Sequence, residues 1–429
     1  MERRNHDRVV RTNTSSGKRA RRGFANRLLT LGTLAVTAIL VLTACGPDEL
    51  KPYSTTSPAS PTAEGIHSLY KLVFWLALIV FVGVQFAIIY ASLRFRKKNI
   101  PANRPPQIHG NSRLEIAWTI IPAVVLMIIL VPTITTLYDQ DAALDEPDLV
   151  VDVYGKQWWW EIKYSTDNGQ GGEELQVVTA NELRLPVGKN VKVRLHSNNV
   201  IHSFWVPRLA GKMDVVPGHV NEISIEPEET GTYAGECAEF CGIQHAWMRF
   251  LIVVEPVDEF YGWVNGWREG NLVATTQDGD LPEGVVRAPE AFSICLSCHT
   301  VNGIEGSSSL AVGSPDSLFA GINAAAMYGP NLTNLGCRET LAAGMLVNNT
   351  ENLTQWLLDP GAIKPGNYMA DVIGPGKSGE LTDEQALEIA EFLESLVPAE
   401  GCTGTGGGAS DATPAATPET SSAAVVARD

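Results

Sequence analysis

Two long uncharged runs dominate the first third of the chain, and short alternating runs follow. Leu72 to Leu93 and Ile116 to Tyr138 carry no charged residue. Each is long enough to cross a bilayer as a helix. Pro122 and Pro132 inside the second run are tolerable in a membrane helix, where neighbours re-satisfy the freed backbone groups. The loop between them bears Arg94, Arg96, Lys97, Lys98, Arg104 and Arg113, with Glu115 its only acid, at the very end. Positive residues stay on the cytoplasmic side, so residues 69–140 read as a transmembrane hairpin with both ends outside.

From Leu149 the period shortens to that of β-strands. Candidate strands are Leu149–Tyr154, Trp158–Tyr164, Asn190–His196, Val220–Ile225 and Phe250–Val254. Pro186-Val187-Gly188, Pro217-Gly218 and Glu229-Thr230-Gly231 separate them as turns. Short strands at this spacing predict an all-β Greek-key sandwich or barrel over residues 141–270. Within Trp158-Trp159-Trp160, side-chain alternation places Trp158 and Trp160 on one face and Trp159 on the other.

Residues 1–44 are basic and then apolar, with Arg19, Arg21, Arg22 and Arg27 ahead of the uncharged run Leu28 to Ala44. They read as a signal peptide. The run ends in Leu42-Thr43-Ala44-Cys45-Gly46, which resembles a bacterial lipoprotein signal cleaved before a lipid-modified Cys45. An uncleaved anchor with an incidental Cys45 is the competing reading. Lipidation would hold the new N-terminus at the outer face of the cytoplasmic membrane, in agreement with the orientation of the hairpin. Residues 45–68 then form a linker rich in Pro, Ser and Thr.

The chain carries 32 basic and 48 acidic residues; without the 9 basic and 2 acidic ones of residues 1–44, the balance is 23 to 46, a net charge near −23. That argues against nucleic acid and for a basic partner, or simply for solubility.

The chemistry concentrates in Cys237 to Met248, C-A-E-F-C-G-I-Q-H-A-W-M. Two thiolates, an imidazole and a thioether are soft or borderline ligands that suit copper better than calcium or magnesium. His202, in S-N-N-V-I-H-S-F-W-V-P, offers a second imidazole. An isolated C-x-x-x-C outside the cytoplasm also reads as a disulfide, but a disulfide needs none of the other three residues.

At these residues the chain resembles subunit II of the haem-copper cytochrome c oxidases, whose CuA pattern C-x-E-x-C-x-x-x-H-x-x-M is filled at every position. The resemblance implies a cupredoxin fold with ligands on loops at one end. Cys237 and Cys241 would bridge two coppers, with His202 and His245 as terminal ligands. Met248 and the carbonyl of Glu239 would be axial. The Glu239 carboxylate would bind a Mg2+ shared with the catalytic subunit. Trp158 of Q-W-W-W would lie exposed near copper and receive electrons from cytochrome c; ordinary packing is its other reading. Phe204, Trp205, Phe240 and Trp247 would shield the site, although each alone reads as core. Glu115 would sit at the mouth of a proton-uptake channel in the neighbouring subunit, or serve simply as an interfacial carboxylate. Two positions depart from the family: Asn199 stands where an acid precedes V-x-H-S, and His219 where P-G-R has arginine.

Residues 271–286 read as a linker to a third, all-α domain at 287–402. Cys295-Leu296-Ser297-Cys298-His299 is the C-x-x-C-H attachment motif of c-type haem, with His299 on iron; a Cys295–Cys298 disulfide is the alternative. Lys364-Pro365-Gly366-Asn367-Tyr368-Met369 resembles the distal loop of class I cytochromes c, with Ala370 in place of the usual proline. Met369 is therefore the second axial candidate, ahead of Met327 and Met345. Gly329-Pro330-Asn331-Leu332 resembles the run that backs the haem. Thr382 to Leu396 reads as an amphipathic helix with a Thr382/Gln385 capping box. Cys337 and Cys402 are free to pair. The insertion 303–328 has no assigned role, and residues 403–429 read as a disordered tail.

The resemblance as a whole is to subunit II of a caa-type oxidase with its cytochrome c fused at the C-terminus. It implies subunits I and III as partners, with cytochrome c or an upstream quinol-oxidising complex as donor. Two alternatives are an electron-transfer protein serving another CuA-dependent reductase, and the subunit II of a quinol oxidase, which lacks copper ligands.

Overall fold

The computed structural model describes residues 32, 36, 52–96, 110–165, 177–269, 272–274, 285–301, 329–398 and 402. Cys45, Lys97, Lys98, Arg104, the insertion 303–328 with Met327, and the tail 403–429 lie outside the described residues.

Helix α1 spans Pro61–Arg94 and α2 spans Ser112–Ala142, and both are long and apolar enough to cross a membrane. Their side chains stay exposed along the spans, as expected of surfaces meant for lipid. Helix α1 begins at Pro61, earlier than the linker 45–68 allows. The cause is local: Pro61 occupies the first turn, and the Ser60 hydroxyl accepts a hydrogen bond from the Ala63 N–H at 3.1 Å. The segment before it is also held. The Ala59 N–H donates to the Arg208 carbonyl at 2.8 Å, and the Arg208 Nε donates to the Ser57 carbonyl at 2.9 Å. At the start of α2, Asn111 caps the helix while Glu115 Oε1 accepts the Asn111 N–H at 3.1 Å. Glu115 thereby helps to cap the start of its own helix, a role not foreseen from the sequence.

Ten strands form two five-stranded sheets: β1 Leu149–Lys156, β2 Trp159–Ser165, β3 Val177–Ala180, β4 Glu182–Pro186, β5 Val191–Ser197, β6 His202–Trp205, β7 Met213–Val215, β8 Asn221–Ile225, β9 Gly231–Cys237 and β10 Arg249–Glu255. One sheet runs β3-β2-β1-β5-β8 and the other β4-β10-β9-β6-β7. Val151, Val153, Ile162, Val193 and Leu195 of the first pack on Leu183, Leu185, Phe204, Phe250 and Ile252 of the second. Trp160 fills the space between them, edge-on to Phe204 and Phe250. The result is a cupredoxin-like sandwich. Helix α3, Val257–Glu269, was not foreseen; it adds Phe260, Trp263 and Trp267 to the core.

The tryptophan run departs from simple alternation. Strand β2 starts at Trp159, so only Trp159 and Trp160 obey it. Trp160 points into the sandwich, and Trp159 packs with Ala180 and Ala343 on the other side. Trp158 lies ahead of the strand and belongs to the copper loop's surroundings.

The third region holds α4 Thr350–Leu358, α5 Pro360–Ile363 and α6 Asp383–Glu394, with 3-10 turns at Glu290–Ser297 and Tyr368–Asp371. The predicted capping box at Thr382 and Gln385 is present. A two-stranded ribbon, Thr340–Leu341 with Leu346–Val347, departs from an all-α region. Phe292 and Phe392 pack at 4.8 Å and join the first turn to α6. This region covers β4, which explains why β4 is buried along its whole length instead of alternating. Glu182 accepts hydrogen bonds from the Thr340 N–H at 2.8 Å and hydroxyl at 3.0 Å. Arg184, ion-paired to Glu255, donates to the Cys337 carbonyl at 3.0 Å.

A disulfide joins Cys337 to Cys402 across 65 residues. Closing a loop of that length in the unfolded chain contributes up to about 4 kcal/mol. Cys402→Ser is therefore expected to lower the stability of the third region by a large part of that amount, read from urea unfolding midpoints with and without reductant.

Candidate metal and haem centres

Strand β9 ends at Cys237 and β10 begins at Arg249, so the pairing of these strands fixes both ends of the metal-ligand loop. The Cys237 N–H donates to the Met248 carbonyl at 3.0 Å and closes it. A 3-10 turn, His245–Trp247, swings His245 back toward the sulfurs. The Cys237 and Cys241 sulfurs lie 3.8 Å apart as free, buried thiols. His202 Nδ1 is 3.9 Å from the Cys237 sulfur, and His245 Nδ1 is 3.8 Å from that of Cys241. The Met248 sulfur is 3.8 Å from Cys241, and the Glu239 carbonyl 3.2 Å from Cys237. Every donor read from the sequence thus converges on one place. Two sulfurs sit in the middle, with one imidazole beyond each, a set that fits a thiolate-bridged pair of copper ions.

Not all ligands come from loops: His202 opens β6 and Cys237 closes β9. Strand geometry gives these two the stiffest mounting. Gly155 of β1 makes room for the His202 ring, since a Cβ there would lie 2.8 Å from His202 Cδ2. The Asn199 Oδ1 lies 3.1 Å from His202 Nε2, which leaves Nδ1 to face Cys237. The hydrogen bond between the two sulfurs pulls Cys237 far below the ordinary thiol range and pushes Cys241 above it, burial adding to the second effect. Shielding is uneven. Phe204 is buried, but Phe240 is 74% exposed and only leans on the His245 ring at 5.8 Å, and Trp247 is half-buried. The Glu239 side chain is exposed.

In the third region, Cys295, Cys298, His299 and Met369 line one cavity of about 210 Å3. Its other walls are mostly apolar, among them Leu332, Leu353, Trp356 and Leu357. Met345 is not among the lining residues. The His299 Nδ1 bonds to the Pro330 carbonyl at 2.8 Å, which leaves Nε2 for the cavity. Desolvation keeps the pKa of His299 below the usual histidine value, so its imidazole is neutral and able to ligate. Gly329 lies so close to this ring that any side chain there would displace it. Cys295 and Cys298 are free thiols. Two thiols, a neutral oriented imidazole and a thioether around an apolar cavity fit a covalently attached haem.

The two sites share a boundary. Trp158 is half-buried, not exposed as expected: its ring stacks on Tyr368 at 5.4 Å and 18°. Its indole N–H donates to the Cys241 carbonyl at 3.0 Å, and Gln157 Nε2 donates to the same oxygen at 2.8 Å. Lys364 is buried beside them and donates to the Trp158 and Ala342 carbonyls, each at 3.2 Å. Burial without a carboxylate partner brings its pKa down to about 7, against the weaker pull of Cys241 in the other direction.

Family profiles match two stretches of the chain. Residues 53–136 match the cytochrome c oxidase subunit II transmembrane domain, and residues 149–257 match its periplasmic domain. Cytochrome c oxidase subunit 2 of Alkalihalophilus pseudofirmus is 34% identical over 379 residues, 87% of this chain and 97% of that protein. The chain belongs to the cytochrome c oxidase subunit II family. It is thus a component of a cytochrome c oxidase and a membrane protein with two spans. The Bacillus subtilis subunit 2 is 32% identical over 375 residues, covering 83% of this chain and 94% of that protein. Among solved structures, the periplasmic domain of subunit II of Bradyrhizobium japonicum is 34% identical, with a TM-score of 0.26, over 29% of this chain and 97% of that one.

For a subunit II, the sequence reading omitted Gly155, held Gln157, Lys364 and Tyr368 only as parts of motifs with no role of their own, and took Asn199 only as a departure. None of these carries a ligand-type signal at its own position; each acts through what folding places beside it. Asn199→Ala should weaken copper binding roughly 10- to 100-fold by freeing the His202 ring, and Asn199→Asp should restore it, read by competition with a copper chelator. Lys364 carries the pH signal. Between pH 7 and 10.5 the unfolded chain keeps a proton that the folded chain has lost, so this residue's share of stability rises with pH across that window. Lys364→Met should flatten the rise, seen by comparing urea midpoints of the two proteins at about pH 7 and about pH 9.

Proposed function

We propose that this chain is the electron-accepting subunit of a caa-type oxidase, with residues 287–402 as a fused cytochrome c. When bound, the haem and the copper pair supply one-electron oxidation and reduction for delivery to haem a of subunit I, where oxygen is reduced to water with proton translocation. The observation that carries the reading is the haem-type cavity, with Cys295, Cys298, His299 and Met369 on its wall; Gln157 and Trp158 also line it, and both donate to the Cys241 carbonyl of the metal-ligand loop. The similarity to the A. pseudofirmus protein adds support. Its 379 aligned residues are more than the interval 53–257 contains, so it reaches into the third region.

The residues divide the work. Cys237, Cys241, His202, His245, Met248 and the Glu239 carbonyl would hold the copper pair. The sheet holds these donors with little freedom to move, which favours electron transfer by keeping the site's shape constant between oxidation states. Cys295 and Cys298 would anchor the haem covalently, and His299 and Met369 would supply its iron ligands, a pairing that would raise the potential. At the partner-facing surfaces, Glu239 shares a Mg2+ with subunit I and Glu115 serves proton uptake. Subunit III completes the complex. A lipid on Cys45 and the hairpin fix the chain in a bacterial cytoplasmic membrane, copper and haem regions outside. The donor is cytochrome c or an upstream quinol-oxidising complex.

A carrier serving another copper-dependent reductase is the second reading; the two membrane spans argue against it, because a periplasmic carrier needs neither. A quinol oxidase subunit would not retain the full copper donor set. The test is rapid anaerobic reduction of the purified full chain by reduced cytochrome c, following haem and copper absorbance separately. Haem reduction followed by copper reduction at a concentration-independent rate supports the tethered-donor reading. Absence of covalent haem, or direct copper reduction with the haem lagging, overturns it.

A further inference from the structure

We propose that Tyr368 is a positioning residue between the two regions: its ring holds and covers Trp158, which touches both the haem-type cavity and the metal-ligand loop. The inference rests on the reading of residues 287–402 as a haem-binding domain. Tyr368 precedes Met369 in the chain, and both line the haem-type cavity. Tyr368 also stacks on Trp158, which lines the same cavity, rings 5.4 Å apart and nearly parallel at 18°. Trp158 in turn donates its indole N–H to the carbonyl of Cys241 at 3.0 Å. From the cavity wall at Trp158 to the ligand-type cysteine there is thus one hydrogen bond, and the Tyr368 stack fixes the ring that makes it.

Neighbouring contacts hold that stack. Lys364, four residues before Tyr368, is anchored to the Trp158 carbonyl at 3.2 Å. The Asn367 side chain donates to the carbonyls of Pro360 and Lys364 and accepts from the Ala370 N–H, which pins the turn carrying Tyr368. Gly366 lies against Ile243 of the metal-ligand loop, where no side chain could stand. The loop that presents Met369 is therefore shaped on one side for the cavity and on the other for the copper site. Nothing in the c-type haem motif itself demands the second shape.

The transfer is a single electron. Iron(II) becomes iron(III) as the copper pair takes up one electron, no bond at Tyr368 or Trp158 forms or breaks, and neither ring releases a proton. Tyr368 acts by position: it holds the Trp158 ring whose indole N–H reaches the Cys241 carbonyl, and it covers Trp158 against solvent.

The test uses full-length protein carrying haem and copper, with variants Tyr368→Phe and Tyr368→Leu. Two measurements are made: the intramolecular electron-transfer rate after flash reduction of the haem, and hydroxyl-radical footprinting of the peptide containing Trp158. Phenylalanine keeps the stack and should leave both unchanged. Leucine should slow the transfer about tenfold or more, since small misplacements of reacting partners have effects of that size. It should also raise oxidation at Trp158 while residues 179–184 and 331–343 stay protected. An unchanged rate in the leucine variant would overturn the proposal. So would a slow rate accompanied by exposure of the whole boundary, because Tyr368 would then be a docking residue alone. Failure of the underlying reading looks different: the wild-type protein itself would lack covalent haem in its absorption spectrum.

Discussion

Two buried sulfurs held 3.8 Å apart without a bond between them are the constraint on which the rest of this structure depends. Left to themselves outside the cytoplasm, two such thiols would oxidise to a disulfide. Cys237 is the last residue of β9, and its N–H is bonded to the Met248 carbonyl, so its backbone belongs to the sheet. Cys241 is on the loop, but its carbonyl receives both Gln157 and Trp158. Both backbones are thus fixed by hydrogen bonds, and the sulfurs they carry stand at a separation suited to metal ions.

The third region is docked by the same kind of contact. A flexible linker alone would give a high effective concentration and no fixed geometry. Instead, Glu182 bonds to Thr340, Arg184 reaches the Cys337 carbonyl, and Lys364 reaches the Trp158 carbonyl, all in buried positions. Burying ionic groups adds little net stability, because desolvation offsets the attraction. What such contacts contribute is discrimination, since any other docking pose would strand them unpaired. The boundary is built for one orientation more than for tight binding.

Much of this was legible in the sequence, for reasons that differ by element. The spans α1 and α2 showed because lipid demands long uncharged runs. The donors showed because copper chemistry restricts residue types to few spacings. Strands β1, β2, β5, β8 and β10 showed within about two residues, the usual uncertainty of element ends. Strand β6 did not, since His202–Trp205 is buried on nearly every residue and too short to display a period. Strand β4 failed for a related reason: Glu182 and Arg184 read as surface positions, and only the third region's contacts make them interior. Trp158 was correctly placed beside the metal loop and wrongly left exposed, because its cover is a tyrosine 210 positions later in the chain. A linear pattern carries local geometry and ligand chemistry; it does not carry which distant surface will meet which.

The Cys241 carbonyl joins these strands of argument. It accepts from Gln157 and from Trp158, and the carbonyl of Trp158 itself accepts from Lys364. The two donors on Cys241 fix the backbone that carries its sulfur, and Lys364 in turn fixes Trp158. Two of the three residues in this chain belong to the sandwich, and Lys364 belongs to the third region. The docked region therefore does more than bring its cavity near the thiol pair. Through Lys364 and Trp158 it reaches the backbone of Cys241, so the hydrogen bonding around one site is completed by the fold of the other.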